Sequence, residues 1–170
     1  MESTLDELDR AMLAALHDNS RIGVLELSRT LGVARATVSA RLQRLEDSGV
    51  ITGYQPRIGL AAAGYGVQAF VTLEIAQGAL GDVVAVLEQI PGVLEAFATT
   101  GAGDVLCRVA AASHDDLQRT LIVLNQSRTI ARSTSVVVLS ELVEFRAMPL
   151  LNTAEPDRTP KAPAYRRTHD

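Results

Sequence analysis

Four arginines, Arg29, Arg35, Arg41 and Arg44, stand between Leu27 and Leu45 with no acidic side chain among them. Guanidinium groups pair with phosphate oxygens and with guanine edges. A basic run of this kind is what a DNA-facing element needs. The spacing of the last three suits one helix. With Val38, Leu42 and Leu45 turned inward, about 100° per residue places Ala36, Thr37, Ala40, Gln43 and Arg44 on the opposite side, flanked by Arg35 and Arg41. Small residues at 36 and 40 let such a helix sit close to base edges, and Thr37 offers a hydroxyl or a methyl. Arg35, Thr37, Arg41, Gln43 and Arg44 are therefore the candidate contacts to double-stranded DNA, some of them to phosphate rather than to bases.

Other chemistry finds little to work with. The single cysteine, Cys107, excludes a disulfide scaffold and any zinc site of several thiolates. It alternates with Val105 and Val109, which reads as a core thiol. His17, His114 and His169 form no constellation, paired catalytic carboxylates are absent, and Gly101-Ala102-Gly103-Asp104 is too short for a phosphate loop. No enzyme, metal or cofactor is expected. Aromatic residues are scarce (4%), against a surface that stacks single-stranded bases. The formal charge is −4, so the arginine run is a local positive patch in an acidic chain. A hydrophobic fraction of 47% excludes disorder as the main state. The acidic start MESTLDELDR and the lack of a long apolar run predict neither a secretory signal nor a membrane span, hence a cytoplasmic protein.

The arginines need a scaffold, and the preceding residues supply one. Thr4 to Glu7 has capping-box spacing. Leu5, Leu8, Met12, Leu13 and Leu16 then form a helical stripe, predicting a first helix from about Leu5 to His17. Val24, Leu27, Ser28 and Leu31 predict a short second helix ending at Gly32, a residue suited to a left-handed cap. The arginine-bearing helix follows to about Asp47. Two short helices joined by a Gly-containing turn, with a helix to pack on, make a helix-turn-helix. Val50 to Gly59 reads as a short strand or ribbon, and Leu60 to Gly66 as an Ala/Gly-rich hinge.

Beyond the hinge the period changes to two over Val67–Ile75. A helical stripe from Leu80 to Ile90 follows, closed by Pro91-Gly92. Strands over Val93–Thr100 and Asp104–Ala110 come next, then a helix opened by Ser113 and Asp116, then a long strand over Ile130–Phe145. This is the order of a split βαβ. The fold class is thus α+β, an N-terminal helix-turn-helix followed by a ferredoxin-like, four-stranded antiparallel sheet with two helices. The expected domains are 1–59, a hinge over 60–66, 67–146, and a disordered tail over 147–170, whose Lys161, Arg166 and Arg167 read as part of a solubilising segment. The last strand carries apolar residues on both sides, Val136, Val138 and Leu142 against Val137, Leu139 and Val143. A sheet face open to water should be polar, so a second subunit is expected to cover it.

Several segments together resemble the Lrp/AsnC (leucine-responsive/asparagine) family of transcription regulators. These are Leu5-Asp6-Glu7-Leu8-Asp9, Arg41-Leu42-Gln43-Arg44-Leu45, Gly49-Val50-Ile51-Thr52-Gly53-Tyr54, Pro91-Gly92-Val93, Thr100-Gly101-Ala102-Gly103-Asp104 and Arg132-Ser133-Thr134-Ser135. The resemblance spans about residues 4–145. It implies a homodimer built through the C-terminal sheets and often an octamer. It also implies a small effector, usually an amino acid, that alters assembly or DNA binding. By position, the effector site would involve Gly101, Gly103, Asp104, Thr134 and Ser135. Backbone N–H groups of a glycine turn can hold a carboxylate and Asp104 an ammonium. Two positions depart from the family pattern: Gly103 replaces a large residue before the aspartate, and Ala34 replaces a serine cap before the arginine helix. The alternatives are an effector-blind architectural DNA-binding protein and, more remotely, an enzyme like the tetrapyrrole decarboxylases that share this two-part layout.

Overall fold

The computed structural model describes residues 5–153. Contacts divide the chain into two units: the residues up to Pro56 together with those from Glu144 on, and Arg57–Val143.

In the first unit three helices, α1 (Glu7–Asp18), α2 (Val24–Leu31) and α3 (Arg35–Asp47), pack around buried Met12, Leu27 and Val38. Helix α1 begins two residues later than its apolar stripe suggests, because Asp6 caps it. The Asp6 side chain accepts from the Asp9 N–H at 2.9 Å, and the Asp9 side chain accepts from the Asp6 N–H at 3.1 Å. Thr4, the expected cap, lies outside the described residues. Helix α2 ends as anticipated: Gly32 takes a left-handed φ of 66°, which glycine adopts without a Cβ clash. Helix α3 opens at Ala34 with no side-chain cap, so its first amides lack the hydroxyl acceptor a serine would give.

Residues 50–59 form no strand, contrary to the ribbon expected there. After Gly49 the chain folds back on α3, with the Ile51 N–H on the Leu45 carbonyl and the Tyr54 hydroxyl donating to Glu46 at 2.8 Å. Backbone groups spent on a helix end are not free for a ladder. Within the expected hinge the chain makes a closed turn, in which the Ala63 and Tyr65 amides bond to the Gly59 and Leu60 carbonyls.

The second unit is a four-stranded antiparallel sheet in the order β2-β3-β1-β4, from β1 (Val67–Ile75), β2 (Val93–Ala98), β3 (Val105–Ala111) and β4 (Ile130–Val137). Helices α4 (Leu80–Glu88) and α5 (His114–Gln126) join them, which is the split βαβ order. Side chains alternating along the strands bury Ala69, Val71, Leu73, Val105, Cys107 and Val109 against Val83, Leu87, Leu117 and Leu124 of the helices. The opposite face carries Phe70, Thr72, Phe97, Leu106, Arg108 and Val136, placed there by register.

Two expectations about the end of the chain are corrected. Strand β4 stops at Val137 rather than near Phe145. Its partner β1 begins at Val67, so after the Val138 N–H bonds the Gln68 carbonyl no ladder remains to extend. Leu139 and Leu142 are therefore highly exposed, at 98% and 90%, but lie on irregular chain rather than on a two-faced strand. The tail, expected to be disordered from residue 147, begins with a helix, α6 (Met148–Thr153), that contacts α1. Pro149 sits in its first turn, where a missing N–H costs nothing. The charged residues Lys161, Arg166 and Arg167 lie outside the described residues.

Candidate nucleic-acid interface and effector turn

Helix α3 is anchored by Val38 and Leu45, both fully buried, with Leu42 partly so. The other side of the helix meets solvent: Arg35, Ala36, Thr37, Ala40, Gln43 and Arg44 are all exposed. Gln43 donates its amide to Asp47 at 2.9 Å, one turn on. Arg41 departs from this row. It is half-buried, and its guanidinium bonds both Asp6 and Asp9, the latter at 2.9 Å. These hydrogen bonds, with the one to Asp6 foremost, raise the Arg41 pKa further. On Asp6 burial works to raise the pKa, but the Arg41 hydrogen bond and charge, with the Asp9 N–H, outweigh it and hold the carboxyl below its ordinary range. Arg44 is half-exposed and also bonds Asp9, whose side chain is wholly buried. The arginine run is thus less positive than its sequence suggests. Arg41 ties α3 to the start of α1 rather than standing clear for DNA.

The Gly101–Asp104 turn is fastened to β1. The Asp104 N–H donates to the Leu73 carbonyl at 2.9 Å, and its carboxylate accepts from the Ile75 N–H at 2.8 Å, at the point where the β1–β4 register shifts. Thr99, just after β2, closes the turn from its other end, its hydroxyl donating to the Gly103 carbonyl at 2.8 Å. Gly103 is buried, and a Cβ there would stand 2.2 Å from the Thr72 methyl and 3.3 Å from the Leu73 carbonyl oxygen. The glycine is required by close approach, which explains the departure at this position. Thr134 pairs with Thr72, so Gly103, Thr72 and Thr134 share the uncovered face of the sheet. Ser135 is not brought to this group: it pairs with Val71 and points to the helix-covered side.

Cys107 is a core thiol, fully buried, with burial pushing its pKa up to about 11. A cleft of about 470 Å³ that the sequence did not announce lies on the helix side, between Ile90–Gly92, Ala110–Ala112 and the Arg119–Thr120 stretch of α5. None of the expected effector residues line it. Among the described residues no cluster of His, Cys, Asp or Glu is arranged to hold a metal ion. No helix among them is long and apolar enough to cross a membrane.

Comparison with known proteins follows the same division. The profile of the Lrp/AsnC ligand binding domain matches residues 68–148, and that of a winged helix-turn-helix DNA-binding domain matches residues 5–52. The chain is 32% identical over 142 residues to the HTH-type transcriptional regulator AldR of Mycolicibacterium smegmatis, covering 81% of this chain and 83% of that one. The solved structure of Escherichia coli AsnC is similar with a TM-score of 0.79 at 29% identity, over 85% of this chain and 98% of AsnC. A transcriptional regulator from Neisseria meningitidis, solved as its L-methionine complex, gives 0.80 at 27% identity, over 89% of this chain and 100% of that one.

Proposed function

This chain belongs to the Lrp/AsnC family of transcription regulators, and we propose that it binds duplex DNA as a homodimer whose assembly or affinity responds to an amino acid. The observation that carries the DNA contact is the exposed row on α3 over a packed three-helix scaffold. Arg35 and Arg44 contact phosphate or guanine, and Thr37 and Gln43 lie beside them. In a dimer two such helices enter major grooves one helical turn, about 34 Å, or a multiple of it, apart. The second copy covers the sheet face bearing Phe70, Phe97 and Val136, which are 43%, 53% and 65% exposed in one chain. Octamers would follow from further contacts between dimers. The cell compartment is that of the DNA, the cytoplasm.

The effector is read at the Gly101–Asp104 turn together with Thr134. The exposed backbone of Gly101-Ala102 offers N–H groups to a carboxylate, and Asp104 keeps an exposed carboxyl for an ammonium. L-methionine, found on the Neisseria relative, is the first amino acid to try. Melting of the protein against a panel of amino acids tests this. A ligand at 100 times its Kd should add about 2.7 kcal/mol to stability. A flat panel supports the second reading, an effector-blind architectural regulator. That reading is favoured by Gly103 lying against Thr72 and by Asp104 already bonding β1. The DNA contact is tested separately, on a duplex the protein selects from a random-sequence pool. Arg35→Ala should weaken binding and lower the salt slope by about one. Failure to select any duplex would overturn the DNA assignment.

A further inference from the structure

The DNA-facing helix leans on an ionised group that packing alone does not call for. Asp9 is 0% exposed, beside Met12 in the core-facing stripe of α1. A buried carboxylate is costly unless it is paired and hydrogen-bonded, and an apolar residue usually fills such a position at no loss of stability. Here the carboxylate receives three donors. Oδ1 accepts from Arg41 at 2.9 Å, while Oδ2 accepts from the Asp6 N–H at 3.1 Å and from the Arg44 guanidinium. The two arginines are held differently. Arg41 has Asp6 as a second carboxylate, whereas Asp9 is the ion-pair partner of Arg44 among the described residues. Arg44 remains half-exposed on the side of α3 that carries Thr37 and Ala40.

We propose that Asp9 is a positioning residue for DNA recognition, which grips one guanidinium nitrogen of Arg44 and so aims the remaining donors outward from α3. The proposal rests on the assignment of α3 as the DNA-binding helix. A guanidinium suits the task because its five N–H donors form a rigid fork, so one nitrogen can serve the protein while the others serve DNA. An arginine fixed by the fold has already lost the rotamer freedom that binding would otherwise take from it. A lysine has one nitrogen, which cannot both reach the buried carboxylate and enter a groove.

The test is a double-mutant cycle on binding to the duplex selected by the wild-type protein, with melting followed in parallel. Asp9→Asn keeps the shape and removes the charge. It should weaken binding about three- to tenfold, the effect of freeing one long side chain. Arg44→Gln should weaken it at least as much, and the double variant should bind no more weakly than Arg44→Gln alone. Additive losses would show that Asp9 acts through fold stability and would overturn the proposal. Arg44→Lys provides a measurement that does not disturb the buried position. It should lose as much affinity as Arg44→Gln, and affinity kept within twofold of wild type would overturn the proposal even if Asp9→Asn fails to fold. Should Arg44→Gln and Arg35→Ala both leave binding unchanged, α3 is not the interface and the DNA assignment fails. A loss in Arg44→Gln with none in Asp9→Asn removes the positioning role only.

Discussion

Gly103 and Thr72 share a space that holds the Thr72 methyl or a Cβ at position 103, but not both. In sequence, Gly103 looks like a missing pocket wall. In the fold it is the residue that lets the 101–104 turn close on β1, because a Cβ would lie 2.2 Å from the Thr72 methyl. Gly103→Ala should therefore cost about 1–3 kcal/mol, the range for overpacking a tight site. Thr72→Ser removes the offending methyl, so the double variant should recover part of that loss. Urea unfolding of the four proteins checks the coupling, and additive effects would mean the clash is relieved elsewhere. Asp9 shows the opposite kind of surprise. Its position reads as one acid in a small acidic group at the chain start, and nothing in the spacing says that residues 32 and 35 positions later will close on it.

At the scale of elements, the helix-turn-helix depends on how its helices begin. Ala34 already has the extended φ and ψ (−64°, 146°) of an N-cap but lacks the oxygen. Ala34→Ser should add about 1 kcal/mol (0.5–2) of stability, seen as a higher melting temperature. Asp6 caps α1 and pairs with Arg41, so Asp6→Asn separates the roles, since Asn caps about as well as Asp. At neutral pH the variant should lose about 0.5–1 kcal/mol, the scale of a partly exposed ion pair. The folded-state pKa of Asp6 lies below its ordinary 3.8. The pair's contribution is therefore fully present above 3.8 and disappears as pH falls through the lower, folded value. Unfolding curves of wild type and Asp6→Asn should differ at pH 7 and converge in acid. A gap that persists there would assign the loss to something other than the ion pair. The same scale explains two misplaced elements: residues 50–59 are β-branched enough for a strand, but Ile51 and Tyr54 bond back to α3, and β4 ends where its antiparallel partner β1 begins.

For the whole molecule, the proposed homodimer turns on the uncovered sheet face. Phe70, Phe97, Leu106 and Val136 share it with Arg108, which Gln68 engages at 2.8 Å and Glu95 at 3.4 Å. An apolar field around a satisfied polar centre suits burial against a second copy. Sedimentation at micromolar protein should give a dimer or larger species, and Val136→Asp should shift it toward monomer without unfolding the helix-turn-helix unit. A wild-type monomer would refute the homodimer outright.

The sequence alone determined the elements whose signals are local: the amphipathic stripes of α1 to α5, the Gly32 turn, the Ser113 cap and the alternating burial of β1 and β3. Those signals sufficed for the α+β class and the helix-turn-helix, because side-chain period and turn chemistry act within a few residues of one another, while the family was legible in the resemblance of its motif segments. Tertiary structure decided what depends on distant partners. Asp9 meets α3, Gly103 meets Thr72, Ser135 falls on the covered side while Thr134 does not, and α6 finds α1. Each of these is set by which neighbour the fold brings within contact distance, and no periodicity along the chain carries that information.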